Sequence, residues 1–321
     1  GSNNVSIGAQ SLLNNTTGIG NVANGHASLL INTTGGFNIA NGFISLFSNT
    51  TGSFNLGIGY ASLYSNTSGS NNVATGSQSL YSNTTGNINV ANGHQSLYSN
   101  TTGIGNVASG YASLYSNTSG VFNVANGYVS LYNNTTGSNN LGLGYGSMRS
   151  NTTGSLNVAN GIQSLYSNTI GSQNTAVGFD SLYFNQEDNN TAIGCNSFNS
   201  HNTILSGAVL TASTATRVTL SSPMSPSPTV GSFVNVYPEI GNTNTISGFL
   251  APKSYKVIND TTLEVTDPSQ VLGTTGTVTN FTIKQSKGYT NSTAAGYAAE
   301  PTASNQVKLG NTDVTEINLG N

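Results

Sequence analysis

Charge is the scarcest property of this sequence: seven Lys and Arg and ten Asp and Glu occur in 321 residues, a formal net charge of -3. So few cations leave no basic patch to displace counterions from a polyanion, which excludes nucleic acid as a partner. Low charge would suit a membrane, yet no stretch nears the roughly 18 consecutive apolar residues that a spanning helix needs. No membrane insertion is expected. A single cysteine, Cys195, excludes an intramolecular disulfide framework and a thiolate metal cluster. Tryptophan is absent. No signal peptide opens the chain, and Gly1 begins in mid-pattern, as in a fragment or a processed product.

The few charges are also unevenly placed. Between Gly1 and Met148 there is no Asp, Glu, Lys or Arg, and Arg149 is the first. A globular domain is about a quarter charged, so this segment must stay in solution through Asn, Ser, Thr and Gly. Such a composition suits a fibre.

What the chain does have is glycine, 39 of them, and the glycines keep time. Gly8, Gly25, Gly42, Gly59 and their successors to Gly178 recur every seventeen residues, and a second register runs from Gly18 to Gly171 at the same step. Eleven copies share one template: Asn, an aliphatic residue, Ala, a variable position, Gly, two variable residues, Ser, Leu, usually Tyr, then Ser-Asn-Thr-Thr-Gly. A twelfth copy, with Gly194, Ser197 and Phe198, arrives one residue early.

Seventeen residues are too few for two packed helices, and a glycine with Asn-Thr-Thr-Gly in every unit breaks any useful helix. Two short apolar pieces remain, Val-Ala-x-Gly and Ser-Leu-Tyr, separated by turn residues, which predicts a coil with two short strands. Stacked coils place identical residues in register about 4.8 Å apart, so twelve coils make a rod on the order of 55 to 60 Å long. The expected fold class is all-β, a parallel β-roll or β-helix.

Strand alternation then sets an expectation for each row. The aliphatic row, Val5, Val22, Ile39, Leu56 and onward to Val158, should point inward against the row Leu12, Leu29, Leu46 to Leu165, with Met148 in the same slot. Two residues after the aliphatic row, Asn24, Asn41, Asn92, Asn126 and Asn160 should also face in and form an internal ladder of stacked amides, because an unpaired buried amide costs about 1 to 3 kcal/mol. In the other reading that edge is wet and these side chains cap turns. The alanines between, Ala23, Ala40, Ala74 and the rest, should face out and permit close approach of another chain. So thin a coil encloses little apolar volume, and a homotrimer is the expected way to bury a face.

At this point the residues carry a resemblance. Asn174-Thr175-Ala176-Val177-Gly178, Ser79-Leu80-Tyr81-Ser82-Asn83-Thr84-Thr85-Gly86 and Asn55-Leu56-Gly57-Ile58-Gly59 resemble the repeats of trimeric phage tail fibres and of trimeric autotransporter heads. The likeness covers residues 1 to about 198 and departs from the autotransporter heads in its longer coil. Residues Glu300 to Ile317 are similar to the segment that often precedes the intramolecular chaperone of phage tailspikes and fibres. That likeness implies a chain end at Asn321 made by self-cleavage; a truncation by design is the other reading.

Between these parts the step vanishes. From about Thr203 to Gln285 prolines appear, charges gather, and five alternating runs predict a small antiparallel β-barrel or sandwich. Thr293-Ala294-Ala295-Gly296-Tyr297-Ala298 then repeats the pattern of Val107 to Ala112, so the module reads as an insertion in a resumed roll. The expected division is a shaft over 1–200, an inserted module over 201–288 and a resumed roll over 289–321.

Chemistry has little to work with. Asp180, Glu187 and Asp188 are the only carboxylates of the array, and Glu187-Asp188 falls where the register slips, as a solvated turn would. His26, His94 and His201 lack metal-ligand spacing. His26 and His94 share an outward slot with Phe43, Tyr60, Tyr111, Tyr128 and Tyr145, an aromatic surface row. Tyr64, Tyr81, Tyr98 and their successors alternate with inward Leu, free to pack on each other at a seam or to stack on sugars. No enzyme, cofactor or metal is expected. Candidate receptor contacts are Tyr60, Tyr111, Tyr128 and Tyr145 on the shaft and Tyr237, Phe249 and Tyr255 on the module. The resemblance implies a virion-surface, extracellular tail fibre that acts as spacer and attachment device. Its expected partners are a second and third copy, other virion proteins, and a host-surface glycan or protein receptor. A bacterial trimeric adhesin is the alternative, and an ice-binding solenoid, suggested by the threonine ladders, a lesser one.

Overall fold

The structure, a computed structural model, describes residues 1–198 in full and, beyond them, mainly the backbone of nine strands. Contacts divide the chain into two compact units, Gly1–Asn199 with Tyr289–Asn321, and Ser200–Gly288. In the first unit each repeat contributes one three-residue strand. Strands β1 to β12 are Val5–Ile7, Val22–Asn24, Ile39–Asn41, Leu56–Ile58, Val73–Thr75, Val90–Asn92, Val107–Ser109, Val124–Asn126, Leu141–Leu143, Val158–Asn160, Thr175–Val177 and Thr191–Ile193. They pair in parallel, each residue opposite its counterpart one repeat on, as Val90 opposite Val107 and Ala91 opposite Ala108. The chain is therefore a parallel β-solenoid of seventeen-residue coils.

In the second unit, strands β13 (His201–Ser206), β14 (Leu210–Ala212), β15 (Arg217–Leu220), β16 (Phe233–Asn244), β17 (Lys253–Asn259), β18 (Thr262–Val265) and β19 (Thr277–Ser286) form a seven-stranded antiparallel sheet. Strands β20 (Thr293–Ala295) and β21 (Val307–Leu309) join the parallel sheet after β12, Ala294 opposite Ala192. No helix among the described residues is long and apolar enough to cross a membrane.

The second predicted strand of each coil is absent, and backbone conformation explains it. Along Ser-Leu-Tyr the chain alternates into the left-handed region, with Gln95 at φ 56° and Leu97 at φ 51°, a pattern repeated coil after coil. Each such residue costs about 1 to 2 kcal/mol. The segment nonetheless bonds like a ladder: the Gln95 N–H donates back to Ser77 O at 3.0 Å, and the Leu97 N–H donates forward to Ser113 O at 2.9 Å. Alternating left-handed residues bend the wall into an arc, and full burial of Leu97 offsets the strain. The Thr-Thr-Gly corner is tighter still. Three successive N–H groups, of Thr84, Thr85 and Gly86, donate to the single carbonyl of Thr101 at 3.0, 3.2 and 3.2 Å. Glycine is obligatory at the strand's end, where Gly93 has φ +139° and a Cβ would lie 2.5 Å from the Gly110 carbonyl oxygen.

The phase of the strand is the reverse of the one expected. Ala23, Ala40, Ala74, Ala91, Ala108, Ala125 and Ala159, read as outward, are completely buried and pack with Leu29, Leu46, Leu63, Leu80, Leu97, Leu114, Leu131, Met148 and Leu165, which do face inward as read. The aliphatic row, read as inward, lies on the outside: Ile39 is 44% exposed, Val90 37% and Val107 38%. Asn24, Asn41, Asn92, Asn126 and Asn160 are likewise exposed. One pair of them does stack, Asn24 Nδ2 donating to Asn41 Oδ1 at 3.3 Å, but on the wet face. A lumen one coil wide takes a methyl group opposite a leucine; two larger side chains from the same strand would overfill it.

The internal amide ladders come from two other rows. Asn21, Asn38, Asn55 and onward to Asn174 precede each strand, and Asn32, Asn49, Asn66 and onward to Asn168 open each corner, all buried. Asn89 shows the first pattern. Its Oδ1 accepts from Asn106 N–H at 3.0 Å and Asn106 Nδ2 at 3.2 Å, while its Nδ2 donates to Asn72 Oδ1 at 3.1 Å and Gly103 O at 2.8 Å. In the second, Asn83 Nδ2 donates to Asn66 Oδ1 at 2.7 Å and to Gly86 O at 3.0 Å. Both inner asparagine rows are thus bonded to the coils above and below. The sequence offered a signal for these rows: they are asparagine in every copy, whereas the Asn24 row also contains Ile, Thr, Ser, Leu and Val.

Candidate binding surfaces

Three features of the solenoid face outward in register: two aromatic columns and the aliphatic stripe of the strands. The first column follows the buried leucines. Phe47, Tyr64, Tyr81, Tyr98, Tyr115 and Tyr132 stack with centroids 5.0 to 5.1 Å apart and planes within 13°. That step is the strand spacing, so ring covers ring and solvent meets mainly edges and hydroxyls. Of the two roles the sequence left open for these tyrosines, the faces are already taken by packing within one chain. Burial first, and neighbouring phenols second, hold the Tyr81 and Tyr115 hydroxyls above their ordinary pKa.

Arg149 replaces a ring in this column. Its guanidinium lies over Tyr132 at 5.7 Å and over Tyr166 at 5.8 Å, and Nη1 donates to the Tyr166 hydroxyl at 3.1 Å. A cation between two π faces gains about 0.5 to 2 kcal/mol, so the column continues to Tyr166 and Tyr183, 4.9 Å apart. Burial, followed by Tyr166 and Asp180, pushes the Tyr183 hydroxyl well above the phenol range, with Arg149 opposing.

The second column stands beside the strand's outer face. His26, Phe43 and Tyr60 stack at 5.1 and 5.8 Å, and His94, Tyr111, Tyr128 and Tyr145 at 5.4, 4.9 and 5.4 Å. The two histidines are members of an aromatic row, as their slot indicated. Ser77 interrupts the column between Tyr60 and His94. Of the sequence's candidate contacts, Tyr60, Tyr111, Tyr128 and Tyr145 thus share one face and are each about half exposed. Tyr237 and Tyr255 belong to β16 and β17, but their side chains, and Phe249 altogether, lie outside the described residues.

The remaining charges among the described side chains lie at the last coils, where the register shortens: Thr175 pairs with Thr191, one residue less than the usual step. Side chains make up the missing backbone. Gln186 Oε1 accepts from Thr169 N–H at 3.2 Å and Thr169 Oγ1 at 2.5 Å, in the place where each earlier corner finds a threonine carbonyl. Asp188 Oδ1 accepts from Ser172 N–H at 2.6 Å, and the Glu187 carbonyl accepts from Asn174 Nδ2 at 2.8 Å. These residues close a coil. Burial, then Asp188, raises the Glu187 carboxyl, and burial alone raises Asp180, whose Oδ1 has no hydrogen-bond partner. Among the described residues no group of three or more His, Cys, Asp or Glu could hold a metal ion. From Asn32 onward the Asn-Thr-Thr sequons of the coils are closed as well. Asn32, Asn83 and Asn100 are fully buried, so the folded coil cannot present their amides for glycosylation. No protein family matches the chain, and neither does any curated protein or solved structure.

Proposed function

We propose that this chain is a non-enzymatic fibre component of a virion, a stiff spacer that carries attachment sites to a host surface as a homotrimer. The observation that supports it best is the outer face of β1 to β12. Val5, Ile39, Ile58, Val90 and Val107 are exposed there, flanked by Phe37, Phe54 and Phe122 on one side and Tyr60, Tyr111 and Tyr128 on the other. No charged residue occurs in any of the twelve strands of this stripe. A lone soluble chain seldom leaves so long an apolar band uncovered, whereas identical chains with the same axial repeat can cover much of it between them. The role of the alanines changes accordingly, because they fill the core and the strand's outer rows become the face available to other copies.

Attachment would work through avidity, weak contacts repeated along a stiff array and across copies. Inter-coil bonding is continuous on both walls, which supports stiffness. The first threonine hydroxyl of each corner does not favour an ice-binding face, since Thr84 Oγ1 already donates to Thr101 O at 3.0 Å and its equivalents do the same. Two measurements test the reading. Native mass of the intact chain should give three copies, and labelled chain should adsorb to bacterial cells. A monomer that adsorbs to nothing would refute it.

A further inference from the structure

Coil five departs from its neighbours at one side of the strand. Where the coils on either side place a ring, it has Ser77, and where most coils place asparagine or an aliphatic residue, it has Thr75. The aromatic column therefore stops at Tyr60 and restarts at His94, two strand spacings or about 9.6 Å further on, a gap that one ring of the column would fill. Tyr60, 50% exposed, stands 5.8 Å from Phe43, the widest spacing in the column, so its ring is the least closely covered. Between the rings, half-buried Ser77 makes no side-chain hydrogen bond to any described residue. Thr75 Oγ1 spends its proton on Asn92 Oδ1 at 2.9 Å and keeps its lone pairs as acceptors.

We propose that this gap is a binding slot for a single pyranose ring of a glycan, held between the faces of Tyr60 and His94 over the hydroxyls of Ser77 and Thr75. The chemistry selects a sugar. Two aromatic faces suit the C–H surfaces of a flat ring, and a floor of one uncommitted hydroxyl and one acceptor suits its hydroxyl rim. No charged side chain stands nearby in the sequence, so the ligand is neutral. The column's other internal interruption, Ile162 between Tyr145 and Phe179, has an aliphatic side chain and no hydroxyl in the gap. The inference rests on the attachment reading and gives it a site and a ligand class.

The test uses the intact chain and a panel of methyl pyranosides at millimolar concentration, followed by saturation-transfer NMR. Ser77→Tyr completes the column and closes the slot; it should abolish the signal while leaving the thermal midpoint unchanged or higher, since a stack is extended. His94→Ala removes one wall and should weaken binding at least tenfold. No pyranoside signal from the intact chain, or binding that survives Ser77→Tyr, overturns the slot. A change of native mass in Ser77→Tyr would mean that a ring of a second copy occupies the gap, which also overturns it. Adsorption to cells separates the two ideas: equal adsorption by the intact chain and Ser77→Tyr removes the slot and keeps attachment, whereas adsorption by neither removes both.

Discussion

Two asparagines three residues apart in one coil should behave as opposites when truncated. Asn89 is wholly buried, and Asn92 is exposed on the strand's outer face. Replacing Asn89 by alanine removes the one hydrogen-bond partner that the Asn106 backbone N–H has among the described residues, 3.0 Å away at Asn89 Oδ1, and one of the two donors to the Gly103 carbonyl, which keeps Asn100 Nδ2 at 3.2 Å. The neighbouring amides fare better. Asn72 Oδ1 keeps the backbone N–H of residue 89 at 3.0 Å, and Asn106 Nδ2 keeps Gly120 O at 2.8 Å. One buried N–H left bare predicts a loss of about 1 to 3 kcal/mol for Asn89→Ala. Asn92→Ala loses a surface contact with Thr75 and should stay within about 0.5 kcal/mol of the parent. Urea unfolding followed by circular dichroism measures both. Because each coil touches only its neighbours, a severe break at coil six should also lower the urea dependence as the array divides. Equal losses for the two variants, or a loss below about 1 kcal/mol for Asn89→Ala, would refute the assignment of the inner ladders.

Other expectations follow from the same packing. Gly57→Ala should stabilise the chain by about 0.4 to 1 kcal/mol: the new Cβ would meet Ser45 Oγ at 2.6 Å, but that hydroxyl can turn to the carbonyl three residues back, as Ser28 does at 3.0 Å to Gly25 O. A thermal midpoint lower than the parent's would count against this account. Ala91→Val overfills the lumen and should cost about 1 to 3 kcal/mol in urea unfolding, whereas Val90→Ala, on the outer face, should leave the unfolding of a single chain nearly unchanged. The carboxyl of Asp180 has a raised pKa through burial, so the folded chain holds its proton at pH values where the unfolded chain has released it. Stability from this group is full below the unfolded pKa and is lost as pH rises through the folded one. Asp180→Asn should therefore flatten the decline in melting temperature from acid to neutral pH, and an unchanged pH profile would show that Asp180 does not cause it.

Much of the architecture was written in residue types. The glycine that ends each strand, the Thr-Thr-Gly corner and the seventeen-residue step require stacked coils, because backbone contacts such as Gly93 against Gly110 tolerate no side chain and recur only if each coil lies on the next. The inward leucines were legible too, as the one large apolar residue present in nearly every copy. Ring columns followed from period alone, since like residues in register must stand one above another. What the sequence by itself could not decide was the phase of a three-residue strand. Val-Ala-Asn has two faces, and hydrophobicity favours valine inside; the closed coil reverses that choice because its lumen has room for the alanine methyl against leucine and for little else. The left-handed backbone at Leu97 was likewise invisible, since leucine carries no local preference for it and adopts it only where inter-coil bonds and burial hold it there. Period is a property of the chain, whereas the width of the space it encloses exists only after the coil has closed.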